Sequence, residues 1–197
     1  MIDPVTELKR LFDAKKFDEA IEFCQKLLEK DPNNPIALQN LSTLYYIVGA
    51  YEDSIKCSEK ILEKDLNEEH AIKNKMLALE KLGQHDEVLK CCEILLEKND
   101  KDVDALMNMA VTLNYLERYQ EAIPYYDTVQ QIMPDFSRAA VEKSEAFKAL
   151  GKEDDAFLAA QGIRLDEAEL LKIDAKENKY SVQHAFLLKR YKKTQEK

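Results

Sequence analysis

The chain has little with which to make turns. Among 197 residues there are 4 glycines and 5 prolines. That is too few for the many tight connections of a β-sandwich or barrel, so the shortage points to helices. With glycine only at positions 49, 83, 151 and 162, no phosphate-cradling loop or dinucleotide fingerprint can be written. His70, His85 and His184 are remote from one another and lack an H-E-x-x-H context, so no metal site is expected. Cys24, Cys57, Cys91 and Cys92 contain no C-x-x-C pair and read as small packing residues. No run approaches the roughly 18 apolar residues of a membrane helix. The opening MIDPVTELKR has an acid at its third residue and no apolar stretch, unlike a signal peptide. The expected location is therefore cytoplasmic, with the thiols reduced. The net charge of -9 is a poor match for nucleic acid or acidic lipid. No cofactor is expected, and no set of residues suggests an enzyme.

What the chain does have is enough apolar content for a core, 45%, and enough charge for solubility, 34%. It also has a period. The tetrads ALQN (Ala37 to Asn40), AIKN (Ala71 to Asn74) and ALMN (Ala105 to Asn108) begin 34 residues apart. Set in rows of 34 from Met1, column 15 holds Lys15, Gly49, Gly83, Glu117 and Gly151. Column 20 is small: Ala20, Ser54, Val88, Ala122, Ala156. Column 27 is aliphatic throughout: Leu27, Ile61, Leu95, Val129, Ile163. Five rows align without an insertion.

Each row reads as two helices. Apolar residues recur at spacings of 3 and 4 through columns 3 to 14, as in Leu38, Leu41, Leu44, Tyr45 and Val48. Column 15 supplies the turn, where glycine adopts unusual backbone angles at low steric cost. Columns 18 and 19 are acidic or amide in every row, for example Glu52-Asp53 and Asp86-Glu87. They suit the positive end of a second helix, and Lys30, Lys64 and Lys98 suit its negative end. Pro124, at column 22, is expected near the first turn of its helix, where it is tolerated with a small kink.

The pattern resembles the tetratricopeptide repeat (TPR) family. The resemblance rests on Gly49, Gly83 and Gly151, Tyr51 and Tyr119, Ala20, Ala122 and Ala156, and Pro32 and Pro134. There is no Trp, and the first motif column holds Leu38, Ile72 and Leu106 instead. The small residue of column 8 is kept in Ser42, Ala110 and Ser144 but replaced by Leu8 and Met76. The resemblance implies an all-α fold, a right-handed α-solenoid of antiparallel helix pairs. Its five repeats span 1-34, 35-68, 69-102, 103-136 and 137-165, followed by a C-terminal capping helix and basic tail over 166-197. In such arrays the first helices line a concave surface, so the implied function is a protein-protein interaction module or adaptor.

Columns 2, 5, 6, 9, 12 and 13 share one stripe of the first helix, and columns 3, 7, 10 and 11 share the packed side. Ala37, Ala71 and Ala105 then belong to the stack, and Asn40, Asn74 and Asn108 to the groove. An asparagine amide offers donors and an acceptor, enough to hold a peptide backbone at N–H and C=O together. The column resembles, over three rungs, the asparagine ladder of O-GlcNAc transferase repeat superhelices. Asparagine in this place could instead bond the neighbouring helix and fix repeat spacing. The variation of columns 2, 5 and 9 leaves such a bond without a faithful partner and favours the groove.

A second resemblance overlaps the first. Co-chaperone TPR domains grip an acidic C-terminal tail with a carboxylate clamp, whose positions here hold Lys73, Leu77, Asn108, Arg138 and Glu142. Lys73, Asn108 and Arg138 match in type. Leu77 and Glu142 do not, and Glu142 sets a negative charge where a carboxylate should bind. Tyr46, Met107 and Tyr115 are further groove candidates, as apolar surface for partner side chains; packing against the adjacent repeat is the competing role for each.

Past residue 165 the phase breaks. Asp166 reads as the N-cap of a last helix, and Val182, Ala185, Phe186, Leu188 and Tyr191 make it amphipathic. Residues 172-197 carry a net +5, leaving -14 for the rest. Capping the array is the simplest role. Contact of Lys189 to Lys193 with an acidic partner, or with the acidic body of another copy, is the alternative. Two function classes follow: a groove binding an extended peptide or helix of a partner, or an accessory or assembly subunit of a stable multiprotein complex.

Overall fold

The computed structural model describes residues 3-195. Among them are twelve α-helices and no strand: α1 (Pro4–Asp13), α2 (Phe17–Lys30), α3 (Pro35–Val48), α4 (Tyr51–Leu62), α5 (Glu69–Lys81), α6 (His85–Lys98), α7 (Val103–Tyr115), α8 (Tyr119–Ile132), α9 (Ser137–Ala149), α10 (Glu153–Ala160), α11 (Leu165–Asn178) and α12 (Val182–Gln195). The fold is all-α, of the helix-pair solenoid class. The chain divides into two compact units, Met1–Lys98 and Asn99–Lys197. In the first, each helix packs on the next from α1 to α6, and α3 also packs on α5. In the second, α7 to α10 pack in the same manner, α7 touches α9, and α12 lies against α10 and α11.

The period is written into the backbone. All five residues of column 15 have positive φ: Lys15 (55°), Gly49 (82°), Gly83 (69°), Glu117 (58°) and Gly151 (68°). Each turns the chain from a first helix into a second. Glycine adopts this left-handed conformation freely, whereas Lys15 and Glu117 hold it against a Cβ clash. Columns 8 and 20 meet inside each pair. Leu8, Ser42, Met76, Ala110 and Ser144 are buried, as are Ala20, Ser54, Val88, Ala122 and Ala156. Where the residue is serine, the hydroxyl bonds the opposite helix: Ser54 donates to the Ser42 carbonyl at 2.7 Å, and Ser144 to the Ala156 carbonyl at 2.9 Å.

The alanines of column 3 are capped as well as packed. Asn34, Glu68 and Asp102 accept the backbone N–H of Ala37, Ala71 and Ala105, which satisfies a donor that the helix leaves open. Acidic residues stand in the first turn of α2, α4, α6, α8 and α10. Lys64 lies beyond the end of α4 rather than in its last turn. Its ammonium reaches the Asn33 carbonyl, and that of Lys98 the Asn67 carbonyl. Pro124 is the sixth residue of α8, past the first turn, and α8 continues through it.

Two further features depart from the sequence reading. The C-terminal region is a helical hairpin rather than one capping helix. It turns at Lys179 (φ 59°), and Ser181 caps α12 by accepting the His184 N–H at 3.1 Å. Asp166 is not the N-cap of α11. Arg164 holds that position, and Asp166 falls in the first turn, 2.8 Å from the Arg164 guanidinium. The expected amphipathic face does pack inward in part: Val182 and Ala185 are buried with Leu158, Ala168 and Leu171, and Phe186 meets Phe157 edge-on at 5.6 Å.

The phase break is fixed by a buried ion pair that the period did not reveal. Lys143 of α9 is 1% exposed. Its ammonium donates to Asp127 of α8 and to the Ile163 carbonyl, both at 3.0 Å. Asp127 also accepts the Leu165 N–H at 2.9 Å. One carboxylate thereby joins α8, α9 and the start of α11. Burial pushes the Lys143 ammonium below its ordinary value, against the pull of Asp127.

Candidate functional site

The three asparagines of column 6 are half-buried, yet they do different things. Asn74 donates from its amide to Ser42 Oγ at 2.6 Å and to Thr43 Oγ1 at 3.0 Å, both on α3. An amide has two N–H bonds, so both donors of Asn74 are engaged. Asn40 donates to the Ile36 carbonyl at 2.7 Å, and Asn108 to the Asp104 carbonyl at 2.8 Å, each on its own helix. The partner columns for Asn74 are 8 and 9, where Ser42 and Thr43 offer hydroxyls. One row earlier the same columns hold Leu8 and Lys9, which offer Asn40 no acceptor. The bond joining neighbouring repeats is thus real for Asn74, through a pair of columns that the sequence reading did not test together.

The other candidates also separate. Met107 is 6% exposed and is withdrawn from the groove. Ala105, Leu106, Met107, Met109, Ala110, Thr112 and Leu113 are all buried on α7, so the apolar arc of this helix extends past the packed side, and the unbranched thioether is drawn into the core with it. The Tyr46 ring packs on Tyr51 across the turn at 5.9 Å, as Phe12 does on Phe17 at 6.2 Å. Lys73 pairs with Glu69 at 2.8 Å, one turn back on α5. Arg138 stands 3.9 Å from Glu142 on α9, so the mismatched clamp residue draws on the matching one. Tyr115 is 68% exposed.

Tyr115 and Arg138 come together in one cleft. It is a cavity of about 410 Å³ beside α7 and α9, lined by Val111, Asn114, Tyr115, Tyr119, Arg138 and Glu142 among others. At columns 12 and 17 the first two rows place aromatic pairs, Phe12 with Phe17 and Tyr46 with Tyr51. The fourth row places Asn114 before Tyr119, and both line the cleft. Asn114 donates to the Tyr126 hydroxyl at 2.9 Å and lies 3.4 Å from the Glu142 carbonyl. Its Oδ1 is buried and has no hydrogen-bond partner, an unsatisfied acceptor beside the cleft. The sequence reading missed Asn114; the signal was the loss of an aromatic from column 12 opposite a retained Tyr119.

The thiols are packed inside. Cys24, Cys57, Cys91 and Cys92 are buried, and none forms a disulfide. Burial pushes Cys24 up to about 12 and Cys91 to about 11, and raises Cys57. Among the described residues no group of three His, Cys, Asp or Glu side chains is placed to hold a metal ion, and no helix is long and apolar enough to cross a membrane.

Paired helices, a turn at every column 15 and an open face on the first helices define a helical-hairpin repeat protein. Tetratricopeptide repeat models match residues 11-79 and 103-136, together just over half of the sequence. The chain belongs to the tetratricopeptide repeat family. It is similar in fold to a crystal structure of MamA, at 23% identity and a TM-score of 0.76, covering 91% of this chain and 99% of that one. It is also similar to YrrB, described as a TPR protein with an unusual peptide-binding site, at 19% identity and a TM-score of 0.71, covering 84% and 82%. A double mutant, MamA RS-1 ArsTM, aligns at 16% identity and a TM-score of 0.76, covering 86% and 94%. Among curated proteins no sequence matches.

Proposed function

We propose that the chain is a non-enzymatic interaction module that binds an extended segment of a partner protein, and that the segment lies in the cleft beside α7 and α9. The observation that carries this reading is the exposed Tyr115 beside the unpartnered Asn114 Oδ1. Tyr115 and Tyr119 offer rings to an apolar side chain, and Arg138 and Glu142 offer a donor and an acceptor to the backbone of the segment. Aromatic anchors of this kind carry much of the energy in protein interfaces. Glu142 makes the cleft a poor seat for an acidic tail, so the carboxylate-clamp variant is set aside. YrrB, with its peptide-binding site, supports the reading by likeness of fold. The buried thiols, none of them in a disulfide, fit a reducing compartment such as the cytoplasm.

Amide hydrogen exchange tests this. The probe is a peptide selected from a displayed random library against the whole chain. Slowed exchange confined to α7 and α9 is the expected result. Protection only over α1 to α6 would place the site elsewhere.

A further inference from the structure

We infer that the cleft beside α7 and α9 recognises its partner segment by one basic side chain, arginine in preference to lysine. This rests on the segment lying in that cleft, as proposed above. The two walls of the cleft differ in chemistry. Tyr115 and Tyr119 bring ring surface from the end of α7 and the start of α8, and Glu142 and Glu145 bring carboxylates from α9. Residues three apart share one face of a helix, so the two carboxylates are neighbours. Arg138 also lines the cleft, but seven residues before Glu145 places it roughly 10 Å back along the helix. Along the α9 wall the charge thus passes from positive to negative.

A side chain that suits both walls needs a long apolar stem and a positive head. Arginine and lysine have both. A leucine or phenylalanine would cover the rings but take water from two carboxylates and leave them unpaired. An acidic side chain would be repelled by both. Arginine has a further advantage in its planar fork, whose N–H donors can reach two carboxylates at once. The partners these acids have within the chain are weak competitors. Lys148 meets Glu145 at 2.7 Å, but both side chains are more than half exposed, and such pairs contribute little. Arg138 stands 3.9 Å from Glu142, beyond direct hydrogen-bond range. A carboxylate has several acceptor sites, so Glu142 can serve the backbone of the segment as well. The net charge of the chain, -9, also favours the approach of a basic segment.

The test takes peptides selected from a displayed random library against the whole chain and measures them by calorimetric titration. The selected peptides are expected to share an arginine or lysine at one position. Glutamine at that position should lower affinity about tenfold or more, and lysine should bind less tightly than arginine. On the chain, Glu142→Gln with Glu145→Gln removes both charges and keeps the size of the side chains. The double variant should lose about as much affinity for the basic peptide, and hold the glutamine peptide within about twofold of its wild-type affinity. That coupling assigns the basic residue to the two carboxylates. Far-UV circular dichroism and unchanged binding of the glutamine peptide show that the variant is folded. Peptides that slow exchange in α7 and α9 but share no basic residue overturn this inference and leave the cleft reading standing. So does a basic residue whose replacement has the same effect in wild type and double variant. Protection only over α1 to α6 overturns both.

Discussion

The Asn74 amide nitrogen stands 2.6 Å from the Ser42 hydroxyl, joining α5 to α3. Ser42 is itself 3.2 Å from the Ser58 hydroxyl on α4, so the bond belongs to a network linking three helices. A residue held in this manner positions repeats, and it has no donor left for a partner.

The asparagine column should therefore divide on mutation. Asn74→Ala removes two partly buried hydrogen bonds and is expected to lower stability by about 1–2 kcal/mol. Asn40→Ala and Asn108→Ala lose only bonds to their own helices and should cost less than about 0.5 kcal/mol. Urea denaturation of the three variants measures this, and equal losses would refute the division.

Glycine is absent from two turns that need it. Glu117 holds φ 58° and Lys15 φ 55°. Glu117→Gly relieves the Cβ clash and should stabilise by about 1 kcal/mol, whereas Gly49→Ala should cost a similar amount. Thermal melts of both variants check the opposite signs.

The thiols predict an alkaline limit. Cys24 is raised from 9.0 to about 12 and Cys91 from 9.0 to about 11 by burial. Their folded values lie above the unfolded one, so the folded state holds these protons more tightly. The stability they contribute is complete below pH 9 and is lost as pH rises through 11 to 12. Unfolding midpoints in urea should fall over that window, and alkylation by iodoacetamide at pH 7.5 should be slow until the chain unfolds.

The Lys143–Asp127 pair predicts non-additivity. Lys143→Met leaves a carboxylate without its ammonium and should cost about 3–5 kcal/mol. Adding Asp127→Asn removes the stranded charge and keeps an acceptor for the Leu165 N–H. The double variant should recover part of the loss, as read from a double-mutant cycle in denaturant.

Much of the fold was legible because it repeats. Column 15 turns the chain at all five positions, and columns 8 and 20 are buried in all ten, since sterics and packing act alike on each row. What breaks the repeat was not legible. The Asn74 bond needs hydroxyls at Ser42 and Thr43 together, a pairing confined to one row. Met107 has groove phase, but the apolar arc of α7 is wide enough to take it inward. Lys143 stands in column 7, on the packed side, but its partner Asp127 lies in a second helix for which no packed columns were assigned, so the pair was not named. Asn114 lay in a column read for its aromatics, and its meaning comes from the ring that is missing. The last two helices were read as one because Lys179 carries the left-handed turn without a glycine to mark it.

The central claim is that a partner segment is held at Tyr115 and Asn114 rather than along the asparagine column. Isothermal titration of the selected peptide into wild type, Tyr115→Ala and Asn74→Ala is the most direct measurement. The account predicts a loss of about tenfold or more, at least ~1.4 kcal/mol, for Tyr115→Ala, and affinity within about twofold of wild type for Asn74→Ala. Unchanged binding to Tyr115→Ala, with binding lost in a folded Asn74→Ala, would contradict it.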